Sequence, residues 1–251
     1  MDYLILEAAA WGLIAGSALL LGSSIGYLLA IPQKIIGLIM AFGSGVLFST
    51  LAFELINNSF VKGGFLAVVP GVLLGGLVYS LINSFISHLS GTDRKRFTTP
   101  QTPKIENGDN GLTIAAGALL DGIPESVAIG ITLTKGSSLG LVAVIAVFLS
   151  NIPEGLSSAA GMRRSGRSLL FVTVIWGSIA LLSGIASLAG YVFFNNVSDI
   201  LAASVLSFAA GAILSMLAIT MMPEAYESTH DLTGVVTVLG FLVAFILSKT
   251  L

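Results

Sequence analysis

Long apolar segments separated by polar connections dominate the chain. Eight can be marked, at Leu4–Ile31, Ile35–Ile56, Phe65–Ile86, Leu112–Leu133, Leu139–Met162, Leu169–Phe194, Ile200–Met222 and Val235–Leu247. A helix that crosses a bilayer core of about 30 Å needs roughly 20 mainly apolar residues, and most of these segments have that length. The pattern predicts an all-α integral membrane protein with eight transmembrane helices, forming one transmembrane domain over residues 1–251.

Composition strengthens this prediction. Of 251 residues, 55% are hydrophobic and 10% are charged, whereas an ordinary soluble domain carries about 25% charged residues. The chain contains no cysteine, which excludes disulfides and thiolate metal ligands. One connection, at about residues 91–111, is polar and rich in Thr, Pro, Asn and Gly, and this composition predicts a flexible loop.

Basic residues are concentrated in alternate connections. One set comprises Lys34, Arg94–Arg96, Lys104, Arg163, Arg164 and Arg167, and the other only Lys62, Lys135 and Lys249. By the positive-inside rule the richer set faces the cytoplasm. We therefore expect a multi-pass protein of the plasma or inner membrane, with both termini outside and the loop at 91–111 in the cytoplasm.

A weak internal repeat relates the second predicted helix to the seventh. Five residues recur at constant spacing, since Phe42, Gly45, Ser49, Leu51 and Ala52 match Phe208, Gly211, Ser215, Leu217 and Ala218. The pattern predicts an inverted repeat of helices 1–3 and 6–8 around helices 4 and 5, as in many transporters with a midplane site. The alternative is that small residues merely let apolar helices pack closely.

The fourth and fifth predicted helices carry polar residues near their middles. Asp121 and Glu125 are one turn apart and share a face of the fourth helix. The fifth helix repeats the layout with Ser150, Asn151 and Glu154. These five residues are the candidate metal ligands.

A proline precedes each of the two glutamates in these helices, at Pro124 and Pro153. Because proline has no N–H, the carbonyls of Leu120 and Leu149 are released from the helical hydrogen-bond ladder. Released carbonyls inside a bundle can be satisfied by a neighbouring helix, by water or by a metal. The prolines are therefore candidate parts of a transport pathway.

The charges inside the predicted spans are all acidic. Glu54, Asp121, Glu125 and Glu154 lie within spans, whereas all eleven Lys and Arg residues lie in connections or at helix ends. A carboxylate at membrane depth costs at least ~2.5–3.5 kcal/mol, so these groups are either protonated or compensated by a bound cation. Glu224 is a candidate receiver of the cation at the cytoplasmic exit, or alternatively part of an exposed acidic helix end.

These residues resemble the ZIP transporters, which move zinc, iron and manganese into the cytoplasm. Members have eight helices, outward-facing termini and a His-Asn-x-Pro-Glu-Gly type motif in helices four and five. Here residues 121–126 read Asp-Gly-Ile-Pro-Glu-Ser, and residues 150–155 read Ser-Asn-Ile-Pro-Glu-Gly. The resemblance covers essentially the whole chain and implies a homodimer.

By position, the resemblance implies that Asp121 replaces a ligating histidine and that Glu125, Glu154 and Asn151 are metal ligands. Glu54 matches a pathway glutamate of some members. The chain departs from the family pattern at three positions. Gly122 replaces an asparagine, Ser150 replaces a histidine or glutamine, and Ala180 replaces a glutamate found in some members. One bound metal is therefore the expectation, in place of a two-metal centre.

The identity of the metal stays open at this stage. The family favours zinc or iron, whereas oxygen donors suit harder ions such as manganese, magnesium or calcium. We keep zinc, iron and manganese as cargo, with a magnesium or calcium pathway or a proton-coupled carrier of another substrate as alternatives. We expect no enzymatic activity, since the chain lacks His-Glu-x-x-His and presents its glutamates after prolines. We also expect no resident cofactor and no nucleic-acid partner.

Overall fold

The computed structural model describes residues 2–90, 110–134 and 137–250. The predicted loop at 91–111 lies almost entirely outside these ranges, as do Arg94–Arg96, Lys104 and Lys135. Within the described ranges the chain is helical with short connections and contains no strand.

The helices follow one another closely along the chain. They are α1 (Asp2–Leu28), α2 (Gln33–Thr50), α3 (Asn57–Ser90), α4 (Asn110–Leu133), α5 (Ser137–Arg164), α6 (Leu169–Phe194), α7 (Asp199–Met216), α8 (Met222–Thr229) and α9 (Leu232–Thr250). A π-helical segment at Leu51–Ile56 joins α2 to α3, and a second at Leu217–Met221 joins α7 to α8.

Six helical stretches in the described residues are long and apolar enough to cross a membrane. They are Tyr3–Leu28, Gln33–His88, Leu141–Arg164, Leu169–Phe194, Asp199–Thr229 and Leu232–Thr250. An all-helical chain with several membrane-length helices is therefore confirmed. The count of eight crossings stays a prediction.

Gly64 interrupts the longest of these stretches. Its backbone has φ 58° and ψ −162° inside α3, a conformation that glycine adopts without the steric penalty of a side chain. The interruption falls between the two apolar segments predicted at Ile35–Ile56 and Phe65–Ile86. The 56-residue stretch Gln33–His88 is therefore not one straight helix.

Local sequence explains where two of the later helices begin. The side chain of Ser168 accepts a hydrogen bond from the Phe171 amide at 3.2 Å, and Ser198 accepts one from the Leu201 amide at 3.4 Å. Serine at this position satisfies an amide that the first helical turn leaves unpaired. The turn before α6 contains Gly166 with φ 76°.

The helices pack in three sets. Helix α1 packs against α5 and α6, and α4 packs against α6, whereas α2 packs against α9 and α3 against α7. The first set meets the other two where α5 contacts α2 and where α4 contacts α7 and α3. Many large apolar side chains on α3 and α9 point outwards, as expected for helices that face lipid, with Leu66 89% exposed.

Candidate functional site

Two carboxylates are buried on α4, the helix that packs against α6, α7 and α3. Asp121 is 5% exposed and Glu125 is 2% exposed. Both lie in the central part of α4, and their spacing of four residues places them on the same helix face. The structure therefore brings together the first two predicted ligands.

Asp121 is held by a tyrosine from another helix. The Tyr79 hydroxyl of α3 donates to Oδ1 of Asp121 at 2.7 Å and lies 3.3 Å from Oγ1 of Thr220. Thr220 belongs to the second π-helical segment, and Tyr79 is 1% exposed. Sequence reasoning missed both residues, since each sits singly in an apolar segment with no local motif.

Glu125 borders a cavity in which Thr50 is the other polar lining residue and the remaining lining residues are apolar. The cavity volume is only about 10 Å³, and its other lining residues are Leu47, Leu51, Leu55, Ala128, Ala143, Val147 and Ile213. The Thr50 hydroxyl donates to the Val46 carbonyl at 3.1 Å. The surroundings thus offer Glu125 little solvation, so its ionised form needs a compensating positive charge.

Two of the candidate ligands on α5 bond to backbone carbonyls. Nδ2 of Asn151 donates to the Ala15 carbonyl of α1 at 3.0 Å, and the Ser150 hydroxyl donates to the Val147 carbonyl of its own helix at 2.9 Å. Both residues are buried. Glu154, the third candidate, is half-buried and has its own interaction partners.

Both prolines lie inside continuous helices. Pro124 is within α4 and Pro153 within α5. Gly43 of α2 faces the second proline, since a Cβ at that position would be 3.2 Å from Cγ of Pro153 and 3.7 Å from the Leu149 carbonyl oxygen. The carbonyl that Pro153 leaves without its helical donor is therefore next to α2.

Glu54 forms its hydrogen bond with α9. It lies in the first π-helical segment, is 4% exposed, and its Oε1 accepts a hydrogen bond from the Ser248 hydroxyl of α9. The neighbouring Lys249 places its ammonium 5.7 Å from the centre of the Phe53 ring. Glu54 is thus on the α9 side of the segment whose Leu51 and Leu55 line the cavity beside Glu125.

Glu224 joins α8 to α5. Its Oε1 accepts a short hydrogen bond from the hydroxyl of Ser157, which follows Glu154 by about one helical turn. Glu224 is half-buried. The structure therefore places this predicted pathway residue beside the half of α5 that ends at Arg163 and Arg164.

The candidate residues form several small groups. Asp121 and Glu125 share one face of α4, whereas Glu54 and Glu224 make their contacts elsewhere. Within the described ranges, no three His, Asp or Glu side chains converge as a metal cluster. A cation at the α4 carboxylates would therefore need additional oxygen donors from amides, hydroxyls, main-chain carbonyls or water.

Comparison with models of known protein families and with curated protein sequences gives no match to this chain. The resemblance to ZIP transporters rests on the motifs in residues 121–126 and 150–155.

Proposed function

We propose that this protein is a ZIP-type transporter that moves a divalent metal cation across the membrane into the cytoplasm. The observation that carries the proposal is the pair Asp121 and Glu125, 5% and 2% exposed, in the middle of an otherwise apolar helix. Two neighbouring buried carboxylates are costly unless protons or a cation neutralise them. A transporter uses both states, because it must bind its cargo and release it.

The Lys and Arg residues within the described ranges lie at helix ends or beside the Gly64 interruption, at Lys34, Lys62, Arg163, Arg164, Arg167 and Lys249. Asp121 and Glu125 are instead near the middle of α4, a helix whose own sequence contains no Lys or Arg. A mobile cation is therefore the proposed source of compensating charge.

Helix packing supports an inverted repeat. A Cβ on Gly75 of α3 would lie 2.0 Å from the Phe208 carbonyl oxygen of α7, and a Cβ on Gly240 of α9 would lie 2.1 Å from that of Phe42 in α2. Phe42 and Phe208 are matched residues of the sequence repeat. The pair α2–α9 thus makes the same close contact as the pair α7–α3.

The π-helical segments support the same repeat. They begin at Leu51 and at Leu217, which are matched positions of the repeat. Together with the interruption at Gly64, this arrangement favours eight crossings, in which the stretch Gln33–His88 crosses twice. Irregular helices near the middle of matched spans are typical of transporters with a midplane site.

The proposed site holds one metal ion. Asp121 and Glu125 supply charge from α4, and Ser150 and Asn151 supply neutral oxygens. Glu154 of α5 would have to move closer to act as a third charged ligand, because no three acidic or histidine side chains converge in the described ranges. Asn151 donates to α1 through Nδ2. That hydrogen bond does not use its side-chain oxygen, which is the atom that would bind the metal. This donor set contains only oxygen, which suits manganese and ferrous iron and still permits zinc.

Two small voids along α4 suggest the route that the metal takes on one side of the site. The cavity beside Glu125 includes Ala128, and a second void about one turn further along α4 includes Ile131 and Thr132. On the other side, the bond between Glu224 and Ser157 lies towards Arg163. Because basic residues mark the cytoplasmic side, we assign Glu224 to the exit, and we extend the proposal to a homodimer in the plasma or inner membrane.

Metal binding to the purified protein tests the proposal. The protein in detergent is equilibrated with Mn²⁺ or Zn²⁺, passed through a desalting column and analysed for bound metal. We expect a single ion per chain, lost in Glu125→Gln and retained in Glu227→Gln, which changes an exposed glutamate. Equal metal content in both variants would rule out the α4 site.

A further inference from the structure

The Tyr79 hydroxyl contacts one of the two buried carboxylates of α4. It donates to Oδ1 of Asp121 at 2.7 Å from a side chain that is 1% exposed. A hydrogen bond from a hydroxyl to a carboxylate is among the stronger hydrogen bonds in proteins, especially where water is excluded. Tyr79 therefore restricts the position of one carboxylate oxygen of Asp121.

The tyrosine brings three structural elements together. Its ring belongs to α3, its hydroxyl contacts Asp121 of α4, and Thr220 of the second π-helical segment lies 3.3 Å from the same hydroxyl. The carboxylate is thus oriented by residues from outside its own helix. Such an orientation is more precise than the rotamer preference of a lone aspartate.

The two halves of the chain differ at this contact. When Gly75 is aligned with Gly240, the residue equivalent to Tyr79 is Ala244. When Glu125 is aligned with Glu154, the residue equivalent to Asp121 is Ser150. Tyrosine and aspartate therefore occur together in one half and are both replaced in the other. This joint replacement is expected if the tyrosine orients the aspartate carboxylate and has no general packing role.

We propose that Tyr79 is a positioning residue for Asp121 and that it favours small divalent cations over Ca²⁺. The inference rests on the proposed metal site. Because Tyr79 already bonds to Oδ1, that oxygen is less able to join Oδ2 in chelating one ion. Ca²⁺ takes six to eight oxygens at about 2.3–2.6 Å and commonly uses both oxygens of a carboxylate, so this restriction penalises it more than it penalises Mn²⁺ or Zn²⁺.

Competition between Mn²⁺ and Ca²⁺ tests this role. Tyr79→Phe removes only the hydroxyl, and the Ca²⁺ concentration that displaces half of the bound Mn²⁺ should fall by about tenfold, the equivalent of one lost hydrogen bond to a charged group. Tyr27→Phe is the matched control, since its hydroxyl donates to the Arg167 carbonyl at 2.9 Å, close to the end of α5. The control should keep the wild-type ratio.

A second variant keeps the proposal testable if Tyr79→Phe fails to fold. Asp121→Glu keeps the charge but moves the carboxylate away from its position beside the Tyr79 hydroxyl, so it should shift the ratio in the same direction. A wild-type ratio in both Tyr79→Phe and Asp121→Glu would overturn the positioning role. Absence of Mn²⁺ binding in the wild-type protein would instead overturn the proposed metal site itself.

Discussion

At the scale of single residues, the buried carboxylates of α4 need compensation for the solvation that they lose. Asp121 has a tyrosine hydroxyl at 2.7 Å, and Glu125 borders an apolar cavity. One hydrogen bond of this kind contributes roughly 1.5–3 kcal/mol, which is less than the cost of an isolated ion in an apolar medium. In the proposed site, a cation shared by the two groups would supply the remaining stabilisation.

The donor set at this site makes a prediction about selectivity. The double variant Asp121→His with Ser150→His should raise the preference for Zn²⁺ over Mn²⁺, because imidazole nitrogen favours the later metal. Competition binding on the purified proteins provides the measurement. A tenfold change would correspond to about 1.4 kcal/mol.

The asparagine variant separates charge from ligand chemistry. Asp121→Asn loses the same formal charge without gaining a nitrogen ligand. If the double-histidine protein shows no more preference for Zn²⁺ than Asp121→Asn does, then Asp121 does not contact the metal.

The sequence predicted the carboxylates but not their partners. Asp121 and Glu125 could be found because charged residues one turn apart are conspicuous in an apolar segment. Tyr79 is 42 residues from Asp121 in the chain, and Thr220 is 141 residues from Tyr79. Contacts of that kind depend on how α3, α4 and the second π-helical segment pack, which no local pattern specifies. The direction of Glu54 towards α9 was hidden for the same reason.

At the scale of helices, close packing depends on glycine. The Cα of Gly75 meets the Phe208 carbonyl, and an added Cβ would be 2.0 Å from its oxygen. Such close approach permits weak Cα–H···O contacts and larger dispersion energies between helices in lipid. The adjacent Gly76 has more room, with its nearest neighbour at 3.5 Å from an added Cβ.

These adjacent glycines give a matched pair of variants. Gly75→Ala should destabilise the protein by about 1–3 kcal/mol, because the new methyl group forces α3 and α7 apart. Gly76→Ala should be neutral or stabilising by up to about 1 kcal/mol, since alanine is the better helix former. Unfolding of the detergent-solubilised variants, followed by circular dichroism, measures both. Equal stabilities would contradict the packing of α3 on α7.

The helical segments were predicted better than their connections. Apolar length located the helices, since the eight predicted segments fall on helical residues within the described ranges, except that the first continues three residues beyond the end of α1. The π-helical segments could not be predicted, because nothing in Leu51–Ile56 or Leu217–Met221 distinguishes them from ordinary helix. The interruption at Gly64 had a faint signal in the pair Gly63-Gly64.

At the scale of the whole molecule, the orientation in the membrane remains a prediction from charge. Helix α6 separates Ser165, beside the basic end of α5, from Asn196, in a connection without basic residues. Both residues are exposed. The positive-inside rule places Ser165 in the cytoplasm and Asn196 outside.

Labelling of single cysteines tests this orientation in a chain that has none of its own. An impermeant thiol reagent applied to intact cells should modify Asn196→Cys and leave Ser165→Cys unmodified until the cells are opened. Modification of Ser165→Cys alone in intact cells would reverse the assigned direction of transport.

The central claim is that a divalent metal crosses the membrane through the α4 carboxylates. The most direct measurement is uptake of Mn²⁺ into vesicles that contain the purified protein and a metal-sensitive dye. We predict saturable uptake by the wild-type protein, a loss of most of it in Glu125→Gln, and wild-type uptake in Glu7→Gln, which changes a glutamate of α1 that bonds to Trp11. Uptake by Glu125→Gln at the wild-type rate would contradict the account, as would vesicles that admit no Mn²⁺, Zn²⁺ or Fe²⁺ above the protein-free background.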